Sequence, residues 1–402
     1  MKTGKWARLL FVAAPLLVAF TSGCGDFWQA PSNGGGGGGT VSTTTLSSGI
    51  FYVLNAETAQ VVSMSINTGV LTTISSETLA AQPVAMALAP SGNFLYVSTD
   101  GGIFVYAVSS TGTLTLGNNG QAISGDQAIT MQVDATGNWL IDGVLGNTTI
   151  GAEVNAIAIS PSTGLLAASG EKEIPVGLPT GTTTITQLAI SPNDSNSCNS
   201  CYVFVGLGTS GTEIIAFNPG NADPFGGSGN RPVLNAEGSD NTVAVDPTNR
   251  LLYVGESVAL PAETQSGGLR VFTIGSGGIT EISGSPFSTG GTGPSAILPQ
   301  ADYVYVANES VGGSSTGNIA SFTLTSTGTT SPTYTIASIG TVSAGSTPLS
   351  LSTESKGNFL LTVNSGGPDL EGYTMSAGSL TSVLTGPTGT DPVEAIAIVA
   401  AP

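Results

Sequence analysis

From residue 49 onward the chain is written in short runs of Val, Ile, Leu, Phe, Tyr and Ala broken by Gly, Ser, Asn and Pro. The stretch Pro83-Val84-Ala85-Met86-Ala87-Leu88-Ala89-Pro90-Ser91-Gly92-Asn93-Phe94-Leu95-Tyr96-Val97-Ser98 sets the pattern. An apolar run is followed by a Pro-Ser-Gly-Asn turn and a second run ending Tyr-Val. Runs this short, rich in β-branched and aromatic residues and bounded by turn formers, predict strands rather than helices. A third strand is expected at Gly102 to Val108 and a fourth at Thr113 to Leu116, which makes a four-stranded meander.

The unit recurs. Ile129 to Leu140 turns at Asp134-Ala135-Thr136-Gly137-Asn138. Leu188-Ala189-Ile190-Ser191-Pro192 leads to Tyr202-Val203-Phe204-Val205, and Val243-Ala244-Val245-Asp246-Pro247 leads to Leu251-Leu252-Tyr253-Val254. Ala296-Ile297-Leu298-Pro299 leads to Tyr303-Val304-Tyr305-Val306, and Leu349-Ser350-Leu351-Ser352 to Phe359-Leu360-Leu361. The ends complement each other. Phe51-Tyr52-Val53-Leu54-Asn55 is a second strand without a first, and Pro392 to Ile398 is a first strand without a second. Joined, they make a seventh unit. A period of roughly 50 residues, with ends that complete one unit, predicts an all-β, seven-bladed β-propeller over residues 49–402, its ring closed by the N- and C-terminal strands. Closure removes the strand edges that would otherwise recruit another chain.

The first 48 residues break the pattern. Lys2, Lys5 and Arg8 precede an apolar segment from Leu9 to Phe20, too short to span a bilayer comfortably and suited to a signal peptide over residues 1–23. Thr21-Ser22-Gly23-Cys24 resembles a bacterial lipobox, with Thr21 where Leu is usual. The resemblance implies lipidation of Cys24 and, with Gly25 rather than Asp after it, an outer-membrane lipoprotein of the cell envelope, facing the periplasm or the surface. Residues 24–48 hold the unbroken run Gly34 to Gly39 and read as a flexible tether.

Charge narrows the partners. The net charge is −18. Beyond Cys24 the only bases are Lys172, Arg231, Arg250, Arg270 and Lys356, against all 26 acids. Such a surface repels phosphate backbones, so no nucleic-acid partner is expected. An envelope protein, a glycan or a small neutral or cationic ligand fits better; the chain is expected to be a monomer, held at the membrane by its lipid alone.

The 402 residues include no histidine, which removes imidazole acid–base catalysis, His-based triads and most transition-metal sites. Ser169-Gly170-Glu171-Lys172 has Ser-x-x-Lys spacing without companion motifs. Cys198 and Cys201 flank two residues in the expected first turn of the fourth blade. In an oxidising compartment a local disulfide is the simplest reading; a reduced pair and a redox or metal role stay open. No cofactor is required. Calcium is the one alternative, through the oxygen-rich loops Asn218 to Pro224 and Gly366 to Glu371, neither with EF-hand spacing.

The repeated Pro-Ser-Gly-Asn-Phe-Leu-Tyr-Val phrase resembles the bacterial lactonase-like seven-bladed propellers, which include 6-phosphogluconolactonase and the Tyr-Val-Thr-Asn repeat proteins. The resemblance implies the fold over roughly residues 50 to 400. In the enzyme branch one blade reads Gly-Pro-Arg-His before its first strand and Tyr-Val-x-Asn-Glu after its second. Tyr305-Val306-Ala307-Asn308-Glu309 matches the second phrase, whereas Gly293-Pro294-Ser295-Ala296 lacks the basic pair. Tyr253-Val254-Gly255-Glu256 is a further near match. The resemblance thus nominates Glu309 or Glu256 as a base; of the five bases beyond Cys24, Arg270 and Arg231 are the candidates for a supporting cation, Arg270 first.

Two functions are carried forward. One is a non-catalytic binding or scaffold module, with ligand contacts in the expected long excursions Val258 to Gly268 and Val311 to Asn318 on one rim. The alternative is a lactonase of the 6-phosphogluconolactonase kind acting on a lactone or sugar-lactone.

Overall fold

The computed structural model describes residues 49–146, 151–166, 173–178, 184–193, 201–226, 231–236, 238–257, 268–275, 278–328, 332–386 and 395–401. The expected signal, Cys24 and its tether, Ser169–Lys172, Cys198 and the excursion from 258 to 267 lie outside them.

The described residues form seven four-stranded antiparallel sheets. Blade 1 holds β1 (Gly49–Asn55), β2 (Gln60–Asn67), β3 (Val70–Thr78) and, from the far end of the chain, β28 (Ala395–Ala400). Blade 2 holds β4 (Pro83–Leu88), β5 (Phe94–Thr99), β6 (Gly102–Val108) and β7 (Leu114–Leu116). Blade 3 holds β8 (Ala128–Val133), β9 (Trp139–Val144), β10 (Glu153–Ala158) and β11 (Glu173–Gly177). Blade 4 holds β12 (Gln187–Ile190), β13 (Tyr202–Gly206), β14 (Thr212–Ala216) and β15 (Val233–Leu234). Blade 5 holds β16 (Asp240–Val245), β17 (Leu251–Glu256), β18 (Gly268–Gly275) and β19 (Gly278–Glu281). Blade 6 holds β20 (Thr292–Pro299), β21 (Tyr303–Ser310), β22 (Thr316–Thr327) and β23 (Thr333–Ser346). Blade 7 holds β24 (Pro348–Thr353), β25 (Phe359–Asn364), β26 (Leu370–Ser376) and β27 (Ser379–Gly386).

The seven innermost strands, β28, β4, β8, β12, β16, β20 and β24, touch one another in that cyclic order. The ring closes as the sequence ends predict: β28 pairs with β1 through Phe51↔Ala400, Tyr52↔Val399 and Val53↔Ile398. Hydrophobic layers fill the gaps between blades. Val304 and Val306 of blade 6 pack with Tyr253 and Leu269 of blade 5, while Tyr305 and Ala307 on their opposite face pack with Leu351 and Leu360 of blade 7. Alternation along each strand therefore serves two neighbours, and both faces are apolar. The repeated tyrosine of the phrase falls at one position of the second strand, at Tyr52, Tyr96, Tyr253 and Tyr305, each at most 1% exposed. Cross-blade hydrogen bonds add to the layers. Tyr96 Oη donates to Gly164 O at 2.8 Å, and Trp139 Nε1 donates to Pro219 O at 2.9 Å.

Six innermost strands share a register break near their start, one residue in for five of them and three residues in for β20. The extra residues are Val84, Ile129, Asn241, Ser295, Leu349 and Ile396. Such a bulge re-aims the strand where the blade-to-blade connection enters the ring.

One expectation is corrected. Val311 to Asn318 is not a long excursion: β21 runs to Ser310, Val311 bridges to Ser314, and β22 resumes at Thr316. The Gly-Gly-Ser-Ser composition reads as loop, but positive φ at Gly312 and Gly313 lets the chain reverse tightly.

Candidate functional site

The ring has two rims. The turn rim carries the reversals between first and second strands and between third and fourth. The connection rim carries the second-to-third-strand loops and the links between blades. Glu256, Arg270 and Glu309 all stand at the connection rim, and the structure unites only two of them.

Glu256 ends β17, opposite Asp240 at the start of β16, and Arg270 lies on β18 opposite Val254. Arg270 Nε donates to Glu256 Oε2 at 2.7 Å and its Nη1 to Glu281 Oε1 at 2.8 Å. Ser285 Oγ donates to the same Glu281 oxygen at 2.7 Å. Asp240 accepts from Thr212 Oγ1 and Asn235 Nδ2 of blade 4, each at 2.6 Å. Asp240 and Glu256 are fully buried and Arg270 is 2% exposed. Burial pushes the Asp240 carboxyl up to about 7, the Glu256 charge adds to the rise, and Thr212, Asn235 and Arg270 pull against it. This is a sealed junction between blades 4 and 5.

Its position in the repeat explains it. Three residues past the repeated tyrosine position of the second strand stand Asn55 in blade 1, Asn308 in blade 6 and Asn364 in blade 7, and Glu256 fills the same place in blade 5. The register agrees, since Glu256 faces Asp240 as Asn308 faces Pro294. Those asparagines are network hubs. Asn308 is fully buried, accepts from Thr289 Oγ1 at 2.8 Å and donates to Asn318 Oδ1 at 2.6 Å. Asn364 donates to Pro368 O at 2.6 Å. Glu256 is thus the counterpart of Asn308, one position short of Glu309.

Glu309 is a different kind of carboxylate. It is half-buried near the end of β21 and has no cation beside it among the described residues, whereas Glu256 has Arg270; its Oε1, like Glu256 Oε1, has no hydrogen-bond partner among the described residues. Burial raises its pKa. Gly293 lies against it: a Cβ there would come within 3.1 Å of Oε2, and the φ of +65° favours glycine as well. Thr292 and Ser310, paired across the strands, place two hydroxyls 2.7 Å apart at the same strand end. Glu309 shares its face with Ala307 and Tyr305, toward blade 7, whereas Glu256 shares its own with Val254 and Leu252, toward blade 4. No described contact joins it to Glu256 or Arg270. At the position of the missing basic pair, the Ser295 hydroxyl donates to Pro348 O at 2.6 Å and knits blade 6 to blade 7.

The sequence reading gave Asp240 and Asn308 no role of their own and offered Glu371 only as part of a calcium loop. Glu371 accepts from Gly345 N at 2.5 Å, and burial raises its pKa. The signal was present in the recurrence of Asn after Tyr-Val or Thr-Val at three strand ends. Of the calcium loops, Asn218 to Pro224 closes on itself, with Asn218 N donating to Pro224 O at 2.7 Å. Among the described residues no three His, Cys, Asp or Glu side chains gather as metal ligands. Cys201 directly precedes β13, the second strand of blade 4, at 3% exposure, and its Sγ lies 3.8 Å from Asn249 Nδ2.

Several solved structures share this architecture. One from Bacteroides fragilis, named as a candidate 6-phosphogluconolactonase, superposes with a TM-score of 0.65 at 16% identity, covering 89% of this chain and 99% of that one. The Pseudomonas aeruginosa periplasmic gluconolactonase PpgL gives 0.60 at 15% identity, covering 89% and 100%. A Lactobacillus plantarum protein gives 0.58 at 14% identity, covering 88% and 99%. At these identities the likeness is one of fold. No curated protein matches the chain by sequence. Residues 41–183 match the model of the family described as lactonase, 7-bladed beta-propeller, so the chain is similar to that family in sequence over its first blades and in fold around the whole ring.

Proposed function

We propose that this protein is a lactonase-type hydrolase of the lactonase propeller family, acting on a neutral, unphosphorylated lactone with Glu309 as general base. The observation that carries the reading is the Glu309 carboxylate: half-buried at the connection rim, one oxygen unspent, no cation beside it among the described residues, and its pKa raised by burial. Glu309 takes a proton from water as the water oxygen attacks the lactone carbonyl. The ring C–O bond then breaks, and the departing alkoxide takes the proton held by Glu309, which restores the carboxylate. Thr292 and Ser310 supply nearby hydroxyl donors for charge that develops on oxygen.

The preference for a neutral substrate follows from where the cations are. Arg231 pairs with Glu213 at 3.3 Å, Arg250 with Asp246 at 3.1 Å, and Arg270 with Glu256 and Glu281. Lys356 lies on the turn rim. A phosphoryl group at the connection rim would meet carboxylates without a free arginine to hold it. The solved structures named for lactonase activity on sugar lactones agree with this class of reaction.

The test is hydrolysis of D-glucono-δ-lactone by the full chain, followed by pH-stat, against the 6-phosphorylated lactone and the spontaneous rate. The neutral lactone should turn over, and Glu309→Gln should lower kcat roughly 100-fold. A rate equal to the spontaneous one for both lactones would defeat the hydrolase reading. It would favour the second: an envelope binding module whose Ser295 and Ala296 replace the basic pair of the enzymes. Under either reading, lipid on Cys24 anchors the domain at the outer membrane, and a Cys198–Cys201 disulfide staples the first turn of blade 4.

A further inference from the structure

On the turn rim, between blades 1 and 2, lies a cavity of about 350 Å³. Blade 1 contributes Ile50 and Tyr52, the two turns of blade 2 contribute Ser91, Asn93, Ser109 and Ser110, and blade 7 reaches over with Lys356. Its volume falls in the range of small-molecule sites.

Three observations point to a ligand. The first is the floor. Tyr52 is fully buried, and its hydroxyl has no hydrogen-bond partner among the described residues. The tyrosine at the same position of blade 2, Tyr96, spends its proton on Gly164 O. The corresponding turn glycine beside blade 1, Gly112, lines the cavity, and its carbonyl accepts from Ser63 Oγ at 2.7 Å instead. Burial holds the Tyr52 phenol up at about 12, so it stays a donor at any physiological pH. A buried donor left unmade costs free energy that a ligand oxygen would return.

The second observation is the mouth. Lys356 is exposed and, among the described residues, is the one cation without a carboxylate partner. No acid lines the cavity. In a chain with a net charge of −18 this is a local break in the negative surface. The third is the wall, whose hydroxyls and one amide suit a ligand carrying several hydroxyls; Tyr52 is its only ring.

We propose that this cavity binds a small hydroxylated carboxylate of the sugar-acid class, its carboxylate on Lys356 and a ligand oxygen on the Tyr52 hydroxyl. The site is on the rim opposite Glu309 and does not depend on the hydrolase reading.

The test is calorimetry on the full chain with sodium D-gluconate. D-Glucose serves as the arm with hydroxyls but no charge, and sodium acetate as the arm with charge but no hydroxyls. Gluconate should bind saturably and at least about tenfold more tightly than either. Lys356→Met should weaken it about tenfold. Tyr52→Phe should weaken it several-fold while leaving the Tm of the unliganded protein unchanged or raised, because the lost hydroxyl bonds nothing in the free protein. Should Tyr52→Phe fail to fold, Ser110→Trp fills the mouth from an exposed turn and should abolish binding. Gluconate affinity no better than that of glucose or acetate overturns the proposal. So does affinity that survives Lys356→Met or Ser110→Trp. Lactone hydrolysis should be unaffected by Lys356→Met, so failure here and failure of the Glu309 reading are separable.

Discussion

The two rims of this ring bury carboxylates for opposite purposes. On the turn rim, Asp134 accepts from Thr136 N at 2.9 Å and Trp139 N at 2.7 Å. Asp246 accepts from Leu251 N at 3.0 Å and from Arg250 N, and Glu354 from Asn358 N at 2.5 Å and Phe359 N at 3.1 Å. Each occupies the first position of a Pro/Ser-Gly-Asn-type turn and satisfies amides that the reversal leaves without strand partners. On the connection rim, Asp240, Glu256 and Glu371 instead bridge to a neighbouring blade or to side chains of their own sheet; Glu256 and Glu309 each keep one oxygen unspent, and only Glu256 has a cation beside it. The comparison separates charge that shapes the chain locally from charge that joins blades and remains open to chemistry.

The largest expected effect comes from breaking the connection-rim junction. Arg270→Met leaves Glu256 fully buried without its cation, and removing one partner of a buried pair costs roughly 3–5 kcal/mol. Thermal unfolding monitored by circular dichroism should show a large fall in Tm. A change within a degree would mean that the junction is solvated in solution. The double variant Arg270→Met/Glu256→Gln should recover part of the loss, because the uncompensated charge is gone.

Asp240 makes the same junction sensitive to pH. Its folded pKa, about 7, lies above the ordinary value of 3.8, so the folded state binds the proton more tightly than the unfolded state does. The stability it contributes is complete below about pH 4 and is lost as pH rises through 7, at up to about 1.4 kcal/mol per pH unit. Between pH 5 and pH 8 the Tm should therefore fall. Asp240→Asn should flatten that dependence, and an equally steep fall in the variant would assign the effect elsewhere.

The turn rim should respond locally. Asp134→Ala strips the acceptor from Thr136 N and Trp139 N, and a buried amide left unpaired costs roughly 1–3 kcal/mol. Hydrogen exchange should speed up at Thr136 and Trp139 and stay unchanged in blade 5. Exchange that spreads evenly around the ring would show that the turn is not an independent lock.

The contrast also explains what could be read beforehand. Seven units, the turns and the ring closure were legible because short apolar runs and turn chemistry are local, and because Phe51–Asn55 and Ile396–Ile398 are visibly halves of one unit. Glu309 was legible through its phrase. The role of Glu256 was not. In Tyr253-Val254-Gly255-Glu256 the glutamate aligns with Asn308 once the two Tyr-Val pairs are superposed, but its burial and its pairing with Arg270 emerge only from the folded sheet. Asp240 gave no signal because its burial arises from Thr212 and Asn235, which belong to another blade. Position on a blade was written in the sequence, but the chemistry between blades was not.

The smallest effect sharpens the comparison most. Arg250 is a turn-rim cation 3.1 Å from Asp246, with its side chain 38% exposed, and its guanidinium carbon lies 5.8 Å from the centre of the Tyr334 ring of blade 6. Solvent screens both interactions, so each is worth at most about 1 kcal/mol. Asp246, unlike Glu256, keeps its turn amides and the Thr248 hydroxyl when the arginine is removed. Arg250→Met should therefore shift the Tm by a few degrees at most, and added salt should shrink the difference. Arginine replaced by methionine is the same chemical change at positions 250 and 270. If the two variants lost similar stability, the distinction between carboxylates serving a turn and carboxylates joining blades would fail, because it rests on Asp246 being satisfied by amides and Glu256 by its arginine.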